Sequence, residues 1–219
     1  MQPRLRLLLS GVLAAIVFGA GYCVAVAVPG AGDTTTNDYT SFYASDSQMT
    51  AAMILFFALI AGSLLMLWFF TELRAQLPDG LLTRIGYSAA MVGVVALPVG
   101  AAILGGPAGA QQGKGIAFVG VPVAAAFSQA GLGVMLGIGM VGFAVATLLM
   151  SLAARRTALF PQWLVVLGSV FGVLSIASYF WIPGFAFVAW VLIAGVTLGT
   201  RSELSEAPAA ALIAQGGRA

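Results

Sequence analysis

Long apolar runs separated by short polar segments set the pattern of this chain. The runs cover 7–28, 49–71, 85–104, 131–153, 163–181 and 185–200, and a shorter apolar stretch covers 116–129. The run 49–71, MTAAMILFFALIAGSLLMLWFFT, carries no charge over 23 residues. At about 1.5 Å rise per residue a helix of that length covers a hydrocarbon core of roughly 30 Å. No polar stripe interrupts it, as one would in an amphipathic helix packed on a soluble core. Its ends are marked too. Ser45 and Gln48 have the spacing of a capping box before it, and Trp68, Phe69 and Phe70 precede Glu72 and Arg74 after it, an aromatic belt beside charge.

The remaining runs give the same reading with local differences. Run 7–28 follows Arg4 and Arg6 and ends near Ala25-Val26-Ala27, which also fits a signal peptide, but at 22 residues it exceeds the usual apolar core of one and reads as a retained span. A lipid-modified Cys23 fits poorly because the bulky Tyr22 precedes it. Pro98 lies inside 85–104, and Pro161 sits where the first turn of the next helix begins. Segment 29–48, with Asp33, Asp38, Asp46, Tyr39, Phe42 and Tyr43, reads as a solvated connector, with a lid or docking surface as the alternative. Segment 105–115 reads as a loop. Stretch 116–129, only 14 residues long and broken by Gly120 and Pro122, suits an interfacial or re-entrant helix better than a crossing. The expected architecture is all-α: a polytopic transmembrane bundle over 1–200, with six spans plus that short helix, and a tail over 201–219.

Charge orients this bundle. With six crossings, Arg4, Arg6, Arg74, Arg84, Arg155, Arg156, Arg201 and Arg218 share one side and Lys114 alone takes the other. The Lys/Arg bias makes the richer side, and both termini, cytoplasmic. Counting 116–129 as a seventh crossing would spoil that bias. Composition agrees, with 61% hydrophobic and 7% charged residues, against about a quarter charged in soluble domains. The net charge of +2 is spread singly or in pairs between spans, so it serves topology and not nucleic acid. Small residues recur at helix-contact spacing in Gly133/Gly137, Gly168/Gly172 and Gly195/Gly199, which predicts close packing within the chain or a dimer face.

Candidate chemistry is sparse. The chain has no histidine and one cysteine, so His-ligated metals, multi-thiolate sites and disulfides within the chain are excluded, and no cofactor is implied. All seven acidic residues fall in loops, edges or the tail. A charge at mid-membrane costs at least about 2.5–3.5 kcal/mol and usually marks a relay, gate or counter-ion, so ion-coupled transport is disfavoured. The mild polar residues of the spans include Ser63, Thr147 and Ser169, whose hydroxyls are expected to bond back to helix carbonyls. The best small grouping is Ser175, Ser178 and Tyr179, which with Gln129 forms the candidate ligand-binding set, placed around an opening that 116–129 would roof. No base accompanies the serines, so nucleophilic catalysis is not expected.

The Tyr-bearing segment from Asp38-Tyr39 to Tyr43, Leu73-Arg74 after the second run, and Pro161-Gln162-Trp163 after a short basic loop together resemble a group of uncharacterised, mostly actinobacterial, six-span membrane proteins. The resemblance implies architecture and an inner-membrane location and transfers no catalytic residues. The expected function is a non-enzymatic accessory subunit or a binder of an apolar lipid-like molecule, with membrane lipids, a partner membrane protein or a second copy as partners. The alternatives are an uncoupled channel or facilitator for small uncharged solutes, and a membrane enzyme acting on lipid or isoprenoid.

Overall fold

In the computed structural model, residues 3–30, 35–115, 117–118, 120–157, 159–176 and 182–200 are described, and the secondary structure among them is helical. The helices are α1 (Pro3–Tyr22), α2 (Val24–Ala27), α3 (Thr36–Tyr43), α4 (Asp46–Gln76), α5 (Leu81–Lys114), α6 (Val121–Leu132), α7 (Val141–Arg156), α8 (Gln162–Ile176) and α9 (Ile182–Thr200). A π-helical stretch, Gly133–Met140, joins α6 to α7 without a break. Four stretches are long and apolar enough to cross a membrane: Leu5–Tyr22, Asp46–Gln76, Leu81–Gly113 and Val121–Arg156. Gln162–Ser175 and Gly184–Thr200 are shorter apolar helices packed beside them.

Two expectations change here. Stretch 116–129 is not a separate interfacial or re-entrant helix, because Val121 to Gln129 forms the first turns of the long helix through Arg156. Gly120, at φ +90°, makes the turn that precedes it. Pro122 follows in the first helical turn, where its missing N–H had no partner to lose. Segment 105–115 is likewise helix as far as Lys114, with Pro107 carried inside α5. Gly115, left-handed at φ +62°, closes that helix by donating to the Ala110 and Gln111 carbonyls. At about 1.5 Å per residue, α5 is roughly 50 Å long and overhangs a 30 Å hydrocarbon layer.

The long helices alternate in direction and pack in chain order, α1 on α4, α4 on α5, α5 on α6–α7, α7 on α8 and α8 on α9, and α9 returns to α1. Glycine makes each close crossing possible. A Cβ at Gly21 would sit 2.6 Å from the Ala58 carbonyl carbon, and one at Gly62 would sit 2.6 Å from Phe18 N. Between α5 and the π-helical region, a Cβ at Gly100 would lie 2.7 Å from Gly131 O, and one at Gly142 would lie 2.8 Å from Gly93 N. Gly172 faces Ala144 O, and Gly195 faces Gly11 Cα. Two of the three predicted glycine pairs therefore sit in contacts. The third does not: Gly133 and Gly137 have nothing within 4 Å and point outward. Gly139, on the opposite face of the same stretch, meets α5 in their place, where its Cβ would lie 2.8 Å from Leu97.

Phenylalanines fill the middle of the ring. Phe143 stacks on Phe187 with centroids 4.5 Å apart and on Phe70 at 5.8 Å. Phe18 meets Phe143 and Phe187 edge-on at 5.7 and 6.0 Å. These four residues come from four different helices and are at most 1% exposed. Ser169 bonds back to Val165 O as expected, and Ser10 does the same to Leu7 O. Ser63 and Thr147, expected to bond back likewise, are buried with no hydrogen-bond partner for their hydroxyls among the described residues, as is Ser151.

Candidate functional site

At one end of the bundle, polar side chains from α5 and α6 reach main-chain carbonyls far away in sequence. Gln111 Nε2, near the end of α5, donates to Tyr43 O at 2.8 Å. Gln112 Nε2 donates to Asp46 O and to Thr50 Oγ1, both at 3.0 Å. From α6, Ser128 Oγ donates to Pro29 O at 2.7 Å and Gln129 Nε2 to Gly30 O at 3.1 Å. These bonds tie the segment between α1 and α4 down onto the helix ends. Part of that segment, expected to be a solvated connector, is the helix α3, whose Tyr39, Phe42 and Tyr43 are buried against the bundle. Tyr43 stacks on Phe118 at 4.6 Å, and burial pushes its phenol pKa up to about 12.

The start of α3 is fixed by a reciprocal capping box. Asp38 Oδ2 accepts from Thr35 N at 2.7 Å and from Thr35 Oγ1 at 2.8 Å, while Asp38 N donates to Thr35 Oγ1. The Thr35 backbone and side-chain hydrogen bonds hold the Asp38 carboxyl below the usual carboxylate range. Ser45, expected to pair reciprocally with Gln48, accepts from Gln48 N and has Ser47 Oγ as its other partner. The cap therefore buries aromatics beneath and exposes Asn37, Asp38, Thr40 and Ser41 above.

Of the predicted ligand set, Gln129 belongs to this cap and its amide is taken up by Gly30. Ser175 is buried on α8. Ser178 and Tyr179 lie outside the described residues. The expected opening beneath 116–129 is replaced by contact, since the α5 and α6 backbones meet at Gly100 and Gly131.

A different hollow runs between α4 and α5, in the half of the bundle nearer the cap. It has a volume of about 230 Å³, with Met53 and Phe56 as one wall and Ala101, Ala102, Gly105, Gly106 and Gly109 as floor. Gly105 has nothing within 4 Å of an added Cβ, and at Gly109 that atom would meet Met53 at 3.8 Å. One turn further toward the cap, the hydrogen-bonded Gln112, Thr50 and Asp46 make a polar rim. The volume falls short of the roughly 300–1,000 Å³ of a typical small-molecule pocket. Sequence reading missed it because its floor, AAILGGPAGA, is so rich in glycine and contains Pro107 that its second half reads as a loop. The signal available was the pairing of that small-residue run with Met53 and Phe56, one turn apart on the facing helix. Among the described residues, no group of three His, Cys, Asp or Glu side chains converges as metal ligands would.

No protein-family model, curated protein or solved structure matches this chain.

Proposed function

We propose that the protein is a non-enzymatic, six-crossing bundle of the bacterial inner membrane that holds a segment of an apolar, lipid-like molecule in the α4–α5 groove. The observation that carries this reading is the groove itself: apolar walls, a floor of alanine and glycine, and a polar rim at one end. In lipid the surroundings are as apolar as the groove, so hydrophobicity supplies no selectivity. Selection rests on van der Waals fit, about 0.1–0.2 kcal/mol per atom pair, and on the rim. A molecule with a long apolar body and a hydrogen-bonding end suits both. The phenylalanine stack across the middle of the ring weighs against a conduit for solutes.

Filling the groove tests the proposal. Gly105→Phe and Ala102→Phe place a ring where there is open or lipid-facing space. Both variants are expected to melt like the wild type in detergent. Photolabelling of Met53 and Phe56 by an alkyl-diazirine lipid should fall roughly fivefold, the effect of losing about 1 kcal/mol of contacts. Unchanged labelling in both would sink the groove as a binding site.

The ordered cap favours a second reading, an accessory subunit that offers the polar face of α3 to a partner membrane protein. In both readings the cap end is extracytoplasmic and the arginine-bearing end cytoplasmic, by the positive-inside bias. With Cys23 changed to Ser, a cysteine at Thr35 is expected to react with an impermeant thiol reagent in intact cells, and one at Asp79 to stay unlabelled. The reverse pattern would invert the orientation.

A further inference from the structure

The end of the bundle opposite the cap carries a second hollow between α4 and α5, of different character. It measures about 420 Å³ and is lined by Thr71, Arg74, Ala75, Leu77, Asp79, Thr83 and Tyr87. The Arg74 guanidinium carbon lies 4.6 Å from the centre of the Tyr87 ring. That ring is itself held in place, because Tyr87 Oη is 3.2 Å from Thr71 Oγ1, which in turn bonds Leu67 O at 2.7 Å. Stacking on an aromatic face leaves the rim of N–H donors of a guanidinium available for an anion.

The local acids do not use those donors. Asp79 is engaged by Arg84, its two oxygens accepting from Nε at 2.9 Å and Nη2 at 2.7 Å. Glu72 accepts from the Trp68 indole at 3.2 Å. Among the described residues Arg74 forms neither a hydrogen bond nor an ion pair; it stacks on Tyr87 and lies close enough to Asp79 for its charge to act on that carboxyl. A neighbouring hollow of about 200 Å³ shares Thr83 with this one and brings Arg156 to its edge, beside Leu81, which is 73% exposed. The result is a stacked guanidinium in one hollow and a second at the edge of the adjoining one, beside apolar surface at the end of a long apolar helix.

We propose that this hollow binds the phosphate of an anionic phospholipid, with Arg74 as the direct, bidentate ligand, Arg156 adding charge, and the acyl chains lying down the α4–α5 seam. Tyr87 is a positioning residue that fixes the Arg74 plane. Planar guanidinium and phosphate match in geometry, and charge-assisted pairs of this kind are among the stronger hydrogen bonds. The apolar neighbours Leu77 and Leu81 favour a phosphate attached to a lipid over a free one. The site is separate from the groove near the cap and does not depend on that groove binding anything.

Binding of phosphatidylglycerol to the full chain in neutral detergent, followed by native mass spectrometry and by thermal shift, tests this. Phosphatidylcholine with the same chains and inorganic phosphate serve as competitors. Wild type is expected to prefer phosphatidylglycerol, and Arg74→Gln to lose about ten- to a hundredfold in affinity, as for loss of a charged hydrogen-bonding group. Arg155→Gln removes the same charge from a residue outside the hollow and should bind like the wild type. Tyr87→Leu should weaken binding, while Tyr87→Phe, which keeps the ring, should retain most of it. An equal loss in Arg155→Gln would reduce the effect to general attraction, and undiminished binding by Arg74→Gln would overturn the site. Competition by inorganic phosphate as effective as that by the lipid would overturn the assignment of the phosphate to a lipid.

Discussion

Gly62→Leu is expected to dismantle the bundle, and Gly21→Leu to do nearly as much. Both residues lie in the crossing of α1 and α4, where a single added carbon already meets the opposing main chain: 2.6 Å to Phe18 N from Gly62, and 2.6 Å to the Ala58 carbonyl carbon from Gly21. A colliding side chain can turn to another rotamer, but a colliding backbone moves only with its whole helix. Displacing α1 would strip contacts along its length, so the cost should reach about 3 kcal/mol or more, the upper end of overpacking effects. Gly137→Leu is the matched control, since it adds the same bulk to a helical glycine with nothing within 4 Å. It should melt within a few degrees of wild type when unfolding in detergent is followed by tryptophan fluorescence. If Gly62→Leu and Gly137→Leu melt alike, the glycine crossings are not what brings the helices together.

The second large effect is expected at Phe143. Its ring touches those of Phe18, Phe70 and Phe187, so it is common to contacts from three other helices. Phe143→Ala should cost about 3–5 kcal/mol, because the rings around it are held by their own helices and cannot close the space. Phe143→Leu, which keeps most of the volume, should cost under half as much. The effect should also be non-additive: once Phe143 is gone, Phe187→Ala should cost less than it does alone, since the pair has lost its stacking. A Phe143→Ala variant as stable as wild type would show that the centre of the ring is loosely filled and would reopen the reading as a conduit.

Much of the architecture was legible because a membrane core leaves a plain record in sequence. Uncharged runs such as 49–71 and 85–104 had to become helices, and each lies inside an observed one. Element ends were harder to read. Pro107 and Pro122 both looked like breaks, yet one sits inside α5 and the other starts α6. A proline in a first turn gives up nothing, and one in mid-helix is tolerated where neighbouring helices hold the chain on either side. Gln111 and Gln112, read as loop residues, are part of what holds the end of α5. The pair Gly133/Gly137 failed for another reason. The spacing of four does place both glycines on one face, but that face points away from the bundle and meets no other helix. Gln129, placed in the ligand set, has its amide on the Gly30 carbonyl. The arginine-end hollow was the least legible. It depends on Arg74 and Tyr87 meeting across a helical hairpin, and on Asp79 being taken up by Arg84.

The return of α9 to α1 bears on how the molecule is made. The slot at Gly11 that receives Gly195 belongs to the first helix described and its occupant is the last, so α1 is made well before its partner arrives. Until α9 arrives, α1 has its α4 partner along one side and an uncovered face along the other. Such late, long-range closure makes assembly slow compared with pairing between successive helices. It also leaves an interval in which α9 of a second, half-built copy fits the slot as well as the molecule's own. Crowded expression should therefore favour exchanged dimers built from the same contacts as the monomer, and a short tether from the start of α1 to the end of α9, which lie side by side, should suppress them.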